Sequence, residues 1–179
     1  MRCLRLVLVV TACTTTHKSA TPDAAATDVT VREQDFGCIE TMTQVGDLRV
    51  ANLASATADT VAAATNGSRF PVGSLVQMTP DEAMVKHAPG FDAATDDWEF
   101  FFLALSSSGA TILSRGGTNV SAIVNGQPFG ETCVACHSTA PTRWDFICAR
   151  GTDHACKTLP NDTSAAIAQA QAADPRCGQ

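Results

Sequence analysis

The sequence predicts an α+β fold, a mainly antiparallel β-sheet with flanking helices. Three observations point to it. The middle of the chain carries runs of β-branched and aromatic residues, "RFPVGSLVQM" (69–78), "DWEFFFLAL" (97–105) and "ATILSRGG" (110–117), which suit a pleated, half-buried surface. "SSSG" lies between the last two runs and has the composition of a hairpin turn. The flanks are alanine-rich instead, as in "LASATADTVAAA" (53–64) and "DTSAAIAQAQAA" (162–173).

Taken in order, residues 53–64 read as a helix ended by the Asn66-Gly67 turn. Residues 69–78 follow as a strand with a Pro-Val-Gly entry. "TPDE" (79–82) places Thr79 at a cap, Pro80 at the first helical position and Glu82 three residues on. That capping-box pattern predicts a short helix stopped at Pro89-Gly90. Residues 97–105, apolar on both faces, form a buried strand, and 110–117 complete a hairpin with it. Residues 162–173 form a terminal helix capped by Asp162 or Thr163 and closed by Pro175. No internal repeat is visible.

At 179 residues the chain suits one domain with a sizeable core. Its formal net charge of −6 argues against nucleic acid and anionic lipid surfaces as partners. No stretch approaches the roughly 20 apolar residues that span a bilayer. The start, "MRCLRLVLVVTAC", has Arg2 and Arg5, then the apolar run Leu6 to Val10, then small residues, which is the layout of an export signal. Its ending, "VTAC", resembles a bacterial lipobox, with Cys13 as the lipidated residue. The expected organisation is a signal peptide over 1–12, the lipidated cysteine and a flexible tether over 13–35, and a folded domain over 36–179. The tether, with His17 in it, is rich in Thr, Ala and Asp and too poor in large apolar groups to fold alone. Such a chain faces the periplasm as an envelope lipoprotein, at the outer membrane, and meets the membrane only through its lipid.

Eight cysteines divide unevenly. Cys3 falls in the leader and Cys13 at the lipid site, and Cys133 and Cys136 share one motif. Cys38, Cys148, Cys156 and Cys177 remain, an even number in a chain that looks exported, where disulfides are favoured. Four cysteines allow three pairings. The economical one joins Cys148 to Cys156 and Cys38 to Cys177.

The motif is "ETCVACHST" (131–139), with Cys133, Cys136 and His137 as C-x-x-C-H. In haem c attachment, two thiols so spaced add across the vinyl groups and the adjacent histidine reaches the iron. A redox dithiol and a zinc site are the competing readings, but no strand-helix-strand context for a thioredoxin-like site surrounds the pair. The motif thus predicts one covalent haem c with His137 as its metal ligand. It lies late in the chain, and Met1, Met42, Met78 and Met84 all precede it, unlike small electron carriers with a downstream methionine ligand.

Three stretches, "FPVGSLVQM", "MVKHAPGFDAATDDWEFFFL" and "CVACHSTAPTRWDFIC", resemble the cytochrome P460 and cytochrome c′-β superfamily over residues 69–148. "WDFIC" departs from the family's usual Asp-Tyr-Val-Phe ending, and the cysteine-rich tail is an addition. The resemblance implies a β domain with a haem segment on its C-terminal side, His137 as the strong protein ligand, and an open opposite face for nitric oxide or hydroxylamine. P460 proteins carry a haem-linked lysine and oxidise hydroxylamine; c′-β proteins cap the iron with aromatic side chains and bind gas. An enzyme of this kind passes electrons to an outside redox partner.

The resemblance makes Lys86, in "MVKH", the candidate for a cross-link and Glu99 a candidate distal polar group. The plain alternatives are a solvated lysine on the predicted short helix and an exposed strand carboxylate. The helix and a strand-borne lysine facing the haem exclude one another. His87, His154 or Met84 as a sixth ligand would instead make a six-coordinate electron-transfer cytochrome, although both histidines also suit the surface. Trp98, Phe100, Phe101 and Phe102 suit a haem pocket wall or ordinary core, and Asp145 suits a hydrogen-bonding role that orients the haem segment. A structural envelope protein whose C-x-x-C is a disulfide is the third reading. A homodimer is compatible with each.

Overall fold

The computed structural model describes residues 27–124, 127–149, 156 and 163–178. Six strands form one antiparallel sheet: β1 (Thr43–Val45), β2 (Leu48–Asn52), β3 (Ser74–Gln77), β4 (Glu82–Lys86), β5 (Trp98–Ser106) and β6 (Gly109–Gly116). They lie in chain order, each paired with its predecessor. β7 (Ser121–Val124) and β8 (Gln127–Thr132) make a separate two-stranded sheet. Helix α1 (Thr57–Asn66) sits between β2 and β3, α2 (Cys133–His137) follows β8, and α3 (Ser164–Ala172) lies near the C-terminus. The chain is therefore α+β and mainly antiparallel. Among the described residues no helix is long and apolar enough to cross a membrane.

Both faces of the sheet are covered. Side chains alternate along a strand, so β4 and β5 divide between two cores. Val76, Met84, Trp98 and Phe100 join Ala63 and Ala64 of α1 with Phe70 and Ile147 on one face, and Cys133, Val134 and Phe146 pack against them. Leu75, Ala83, Val85, Phe101 and Leu103 take the other face with Val31 and Phe36. Burial on both sides explains why 97–105 shows no hydrophobic alternation.

The strand at 97–105, the hairpin into β6 and the terminal helix match expectation, and the Thr163 hydroxyl caps α3 by accepting from Ala166 N; Asp162 lies outside the described residues. The helix expected over 53–64 starts later, at Thr57, and the strand expected over 69–78 shrinks to Ser74–Gln77. The capping box at 79–82 is overturned. Those residues turn the chain, and Glu82–Lys86 is a strand paired with β3 on one side and β5 on the other. Two ladders of hydrogen bonds outweigh a local capping preference.

The packed domain begins before Phe36. Val31 is 3% exposed within the second core, and Asp28 accepts hydrogen bonds from Ala88 N and the His87 ring. Residues 28–35 are therefore part of the folded unit. Residues 1–26, with the expected signal peptide, Cys13 and His17, lie outside the described residues.

Both expected disulfides are present, Cys38–Cys177 and Cys148–Cys156. The first spans 139 residues and pins the C-terminal tail beside the start of the domain. There Asp174 accepts from Ile39 N at 2.9 Å, and buried Arg176 donates to the Phe36 and Pro80 carbonyls. Gln171 docks α3 by donating to the Asp47 and Met78 carbonyls.

Candidate functional site

The C-x-x-C-H segment opens directly after β8. Thr132 ends the strand with extended backbone, and its hydroxyl accepts from Ala135 N. That makes Thr132 the N-cap of α2. Cys133 N donates to the Val120 carbonyl at 2.9 Å, tying the helix start to the residue that leads into β7. Cys133 and Cys136 stand outside the two disulfides. Burial pushes the Cys133 thiol up to about 12, with the Glu82 charge adding to the effect. A thiol so protonated at neutral pH is a poor redox nucleophile, which counts against the dithiol reading.

His137 closes α2. Its Nδ1 lies 2.8 Å from the Phe146 carbonyl oxygen, and its ring contacts Phe100 with centroids 5.3 Å apart. A carbonyl can only accept, so Nδ1 carries the proton and Nε2 carries the lone pair. Burial holds the imidazole below its ordinary pKa, against the pull of the Phe146 bond, so the ring is neutral. Among the described residues Nε2 has no hydrogen-bond partner. The Cys148 sulfur sits 3.7 Å from Nδ1, on the protonated side of the ring.

The Phe146 carbonyl reaches His137 because the backbone turns sharply there. A 3-10 turn over Thr142–Trp144 is followed by Asp145 at φ 50° and Phe146 at φ 68°. Two consecutive non-glycine residues in the left-handed region are uncommon and persist only where surroundings hold them. Here the holders are explicit. One Asp145 carboxylate oxygen accepts from Phe70 N at 2.7 Å and the other from Lys86 Nζ at 2.6 Å, while the Asp145 carbonyl accepts from Trp98 Nε1 at 2.6 Å. Gly67 contributes by close approach: at φ +72°, a Cβ there would meet the Trp144 ring at 3.2 Å, so only glycine lets the end of α1 pass under that ring.

Lys86 corrects the solvated-lysine expectation. It is 1% exposed, and Nζ donates to the Asp145 carboxylate and to the Asp96 carbonyl. Asp96 also sits beside the ammonium at 3.4 Å and pairs with Arg69, which bonds Asp97 at 3.1 Å as well. Burial, reinforced by the neighbouring Asp96 carboxyl, pushes Asp145 up to about 6 against the pull of Lys86.

His87 and Glu99 are neither surface groups nor neighbours of His137. Strand alternation turns them to the other face, where His87 Nε2 meets Glu99 at 2.9 Å and Nδ1 meets Asp28 at 3.0 Å. Arg115 donates two bonds to Glu99, at 2.7 and 2.8 Å. Burial disfavours the charged imidazolium, yet the bonds to Glu99 and Asp28 prevail and raise the His87 pKa. Phe91 stacks on the ring with centroids 3.9 Å apart. His154 lies outside the described residues. Trp98, Phe100 and Met84 share the core on which Cys133 packs, whereas Phe101 faces away and contacts Phe36 at 5.0 Å.

The arrangement therefore brings Cys133, Cys136, His137, Phe100, Trp98, Asp145 and Lys86 to one side of the sheet, and separates them from His87 and Glu99. No protein-family model, curated protein or solved structure matches the chain. Thr132 and the Phe146 carbonyl were missed in the sequence. A threonine before a short helix is a legible cap signal, but a backbone carbonyl aimed by two left-handed residues has none.

Proposed function

We propose that this chain is a c-type haem protein that binds or redox-processes a small nitrogen-oxide ligand such as nitric oxide or hydroxylamine. The observation that carries the reading is the bond from His137 Nδ1 to the Phe146 carbonyl at 2.8 Å. Metal-ligating histidines commonly donate their second ring nitrogen to a carbonyl in this way, which sets the tautomer and aims the free nitrogen. The donor set fits the group. Cys133 and Cys136 would hold it by thioether bonds, and His137 Nε2 would ligate its iron. When bound, the haem supplies an iron that takes a diatomic or N-oxide ligand and exchanges electrons with an outside partner.

The chain's residues do the remaining work. Burial keeps His137 neutral and ready to ligate, and Phe100 fixes the ring plane by contact. Both ring nitrogens of His87 are committed to carboxylates on the far side of the sheet, which argues against His87 as a sixth ligand. Met84, in the core on which Cys133 packs, is the competing ligand that a six-coordinate carrier would use. Glu99, bound by Arg115 and His87 there, is not the distal polar group. Envelope location with a lipid on Cys13 completes the proposal. Two disulfides among the described cysteines support an oxidising compartment.

The test is the denatured intact mass of protein made in cells that carry c-type maturation machinery. A mass increased by one haem, lost when Cys133 and Cys136 are both replaced by alanine, is expected. An unmodified mass from such cells contradicts the proposal.

A further inference from the structure

Lys86 is a cation with 1% exposure, buried with two carboxylates and a carbonyl around its ammonium. Burying an ammonium is costly unless it is paired and hydrogen-bonded, so its location calls for a task. Its nearest carboxylate is that of Asp145, 59 residues away in sequence. Asp145 is in turn the first of the two left-handed residues that deliver the Phe146 carbonyl to His137. Trp98, one strand over and paired directly with Lys86 across the β4–β5 ladder, holds the same residue by its carbonyl. The Lys86 ammonium also lies 5.1 Å from the centre of the Trp98 ring, so the two clamps brace each other.

We propose that Lys86 is a positioning residue that acts through Asp145 and the Phe146 carbonyl to fix the tautomer and orientation of His137. It is not the site of a covalent link. The inference rests on the haem reading for its consequence, though not for its geometry. Without the ammonium, the Asp145 carboxylate loses its close cation, and the left-handed pair loses an anchor. The Phe146 carbonyl then drifts from Nδ1, and the imidazole samples both tautomers. A histidine that no longer donates from Nδ1 is a less basic ligand, so the bound iron is stabilised less in its ferric state and its reduction potential rises.

The experiment compares the full-length chain with Lys86→Met, Lys86→Arg and Asp145→Asn, each labelled with ¹⁵N-histidine and followed by NMR without haem, then by potentiometry after loading. The wild type and Lys86→Arg are expected to show a slowly exchanging Nδ1–H signal from His137. Lys86→Met and Asp145→Asn lose it, and both loaded variants have a raised reduction potential. Asp145→Asn keeps a neutral acceptor for Phe70 N, so it carries the test if Lys86→Met does not fold. An unchanged His137 signal in folded variants overturns the positioning role. A haem-bearing peptide joined to Lys86 in the wild type overturns it too. Failure of the wild type to acquire haem leaves the NMR arm intact and instead overturns the proposed function, so the two failures are distinguishable.

Discussion

His137 Nδ1 donates to the Phe146 carbonyl across 2.8 Å, a bond between the end of a five-residue helix and a turn nine residues later. It depends on Asp145 and Phe146 holding left-handed backbone. The Trp98 indole is one of the groups that keep them there. Replacing Trp98 with Phe removes that donor and leaves a buried carbonyl unpaired, a loss of about 1–3 kcal/mol. Urea unfolding measures it. An equal stability for both proteins would mean the indole bond does not secure the turn.

Lys86 and Asp145 form a buried ion pair at 2.6 Å with side-chain exposures of 1% and 2%. Removing one partner of such a pair strands a charge, at a cost of about 3–5 kcal/mol. Lys86→Ala is therefore expected to lower the urea midpoint far more than Arg69→Ala, whose side chain is 57% exposed.

On the other face, stability should depend on pH through His87. Its pKa is raised in the fold from 6.5, so its contribution is complete below pH 6.5 and fades as pH rises through the folded value. Burial works against ionisation of Glu99 and Asp28, but bonds from His87 and Arg115 to Glu99, and from Ala88 and His87 to Asp28, lower both pKa values from 4.5 and 3.8. Their contributions are present above those values and fade as pH falls through the folded ones. The contribution of this cluster should thus be greatest between about pH 4.5 and 6.5 and decline above it. The difference between wild type and His87→Gln separates it from Asp145, which burial raises to about 6 and which lowers stability as pH rises from 3.8 to that value. His87→Gln should flatten the alkaline decline. A decline that persists unchanged in the variant would assign it to other groups.

The two disulfides should differ in weight. Closing a loop of 139 residues removes far more unfolded-state entropy than closing one of 8, by about 5 against about 2.5 kcal/mol in the chain-entropy account. Paired Cys→Ala replacements compared by thermal unfolding should rank Cys38–Cys177 as the costlier loss. Loss of Cys148–Cys156 should instead show in the His137 environment, since Cys148 lies 3.7 Å from its ring.

Much of this was legible in the residues. The aromatic run at 97–105, the hairpin after it, the alanine-rich terminal helix and the economical disulfide pairing all follow from local composition and cysteine arithmetic. The strand at Glu82–Lys86 was hidden because "TPDE" carries a genuine local helix signal that only the flanking strands override. That misreading also hid the burial of Lys86, whose partner Asp145 is distant in sequence. His87 and Glu99 read as surface groups because nothing local announces that Asp28, in a stretch composed like a tether, returns to cover them. In the left-handed pair only Asp145 is of a type that visits that region with some frequency, a weak signal in itself, and Phe146 gives none.

A haem held by C-x-x-C-H, with a far side that accepts a small ligand, has a distinctive colour and ligand response. The most direct measurement is the absorption spectrum of the purified protein, ferric and then reduced, with and without nitric oxide. A covalent haem that is high-spin when reduced and shifts on adding nitric oxide is expected. A low-spin spectrum indifferent to nitric oxide would contradict the open site, and a colourless protein would contradict the haem itself.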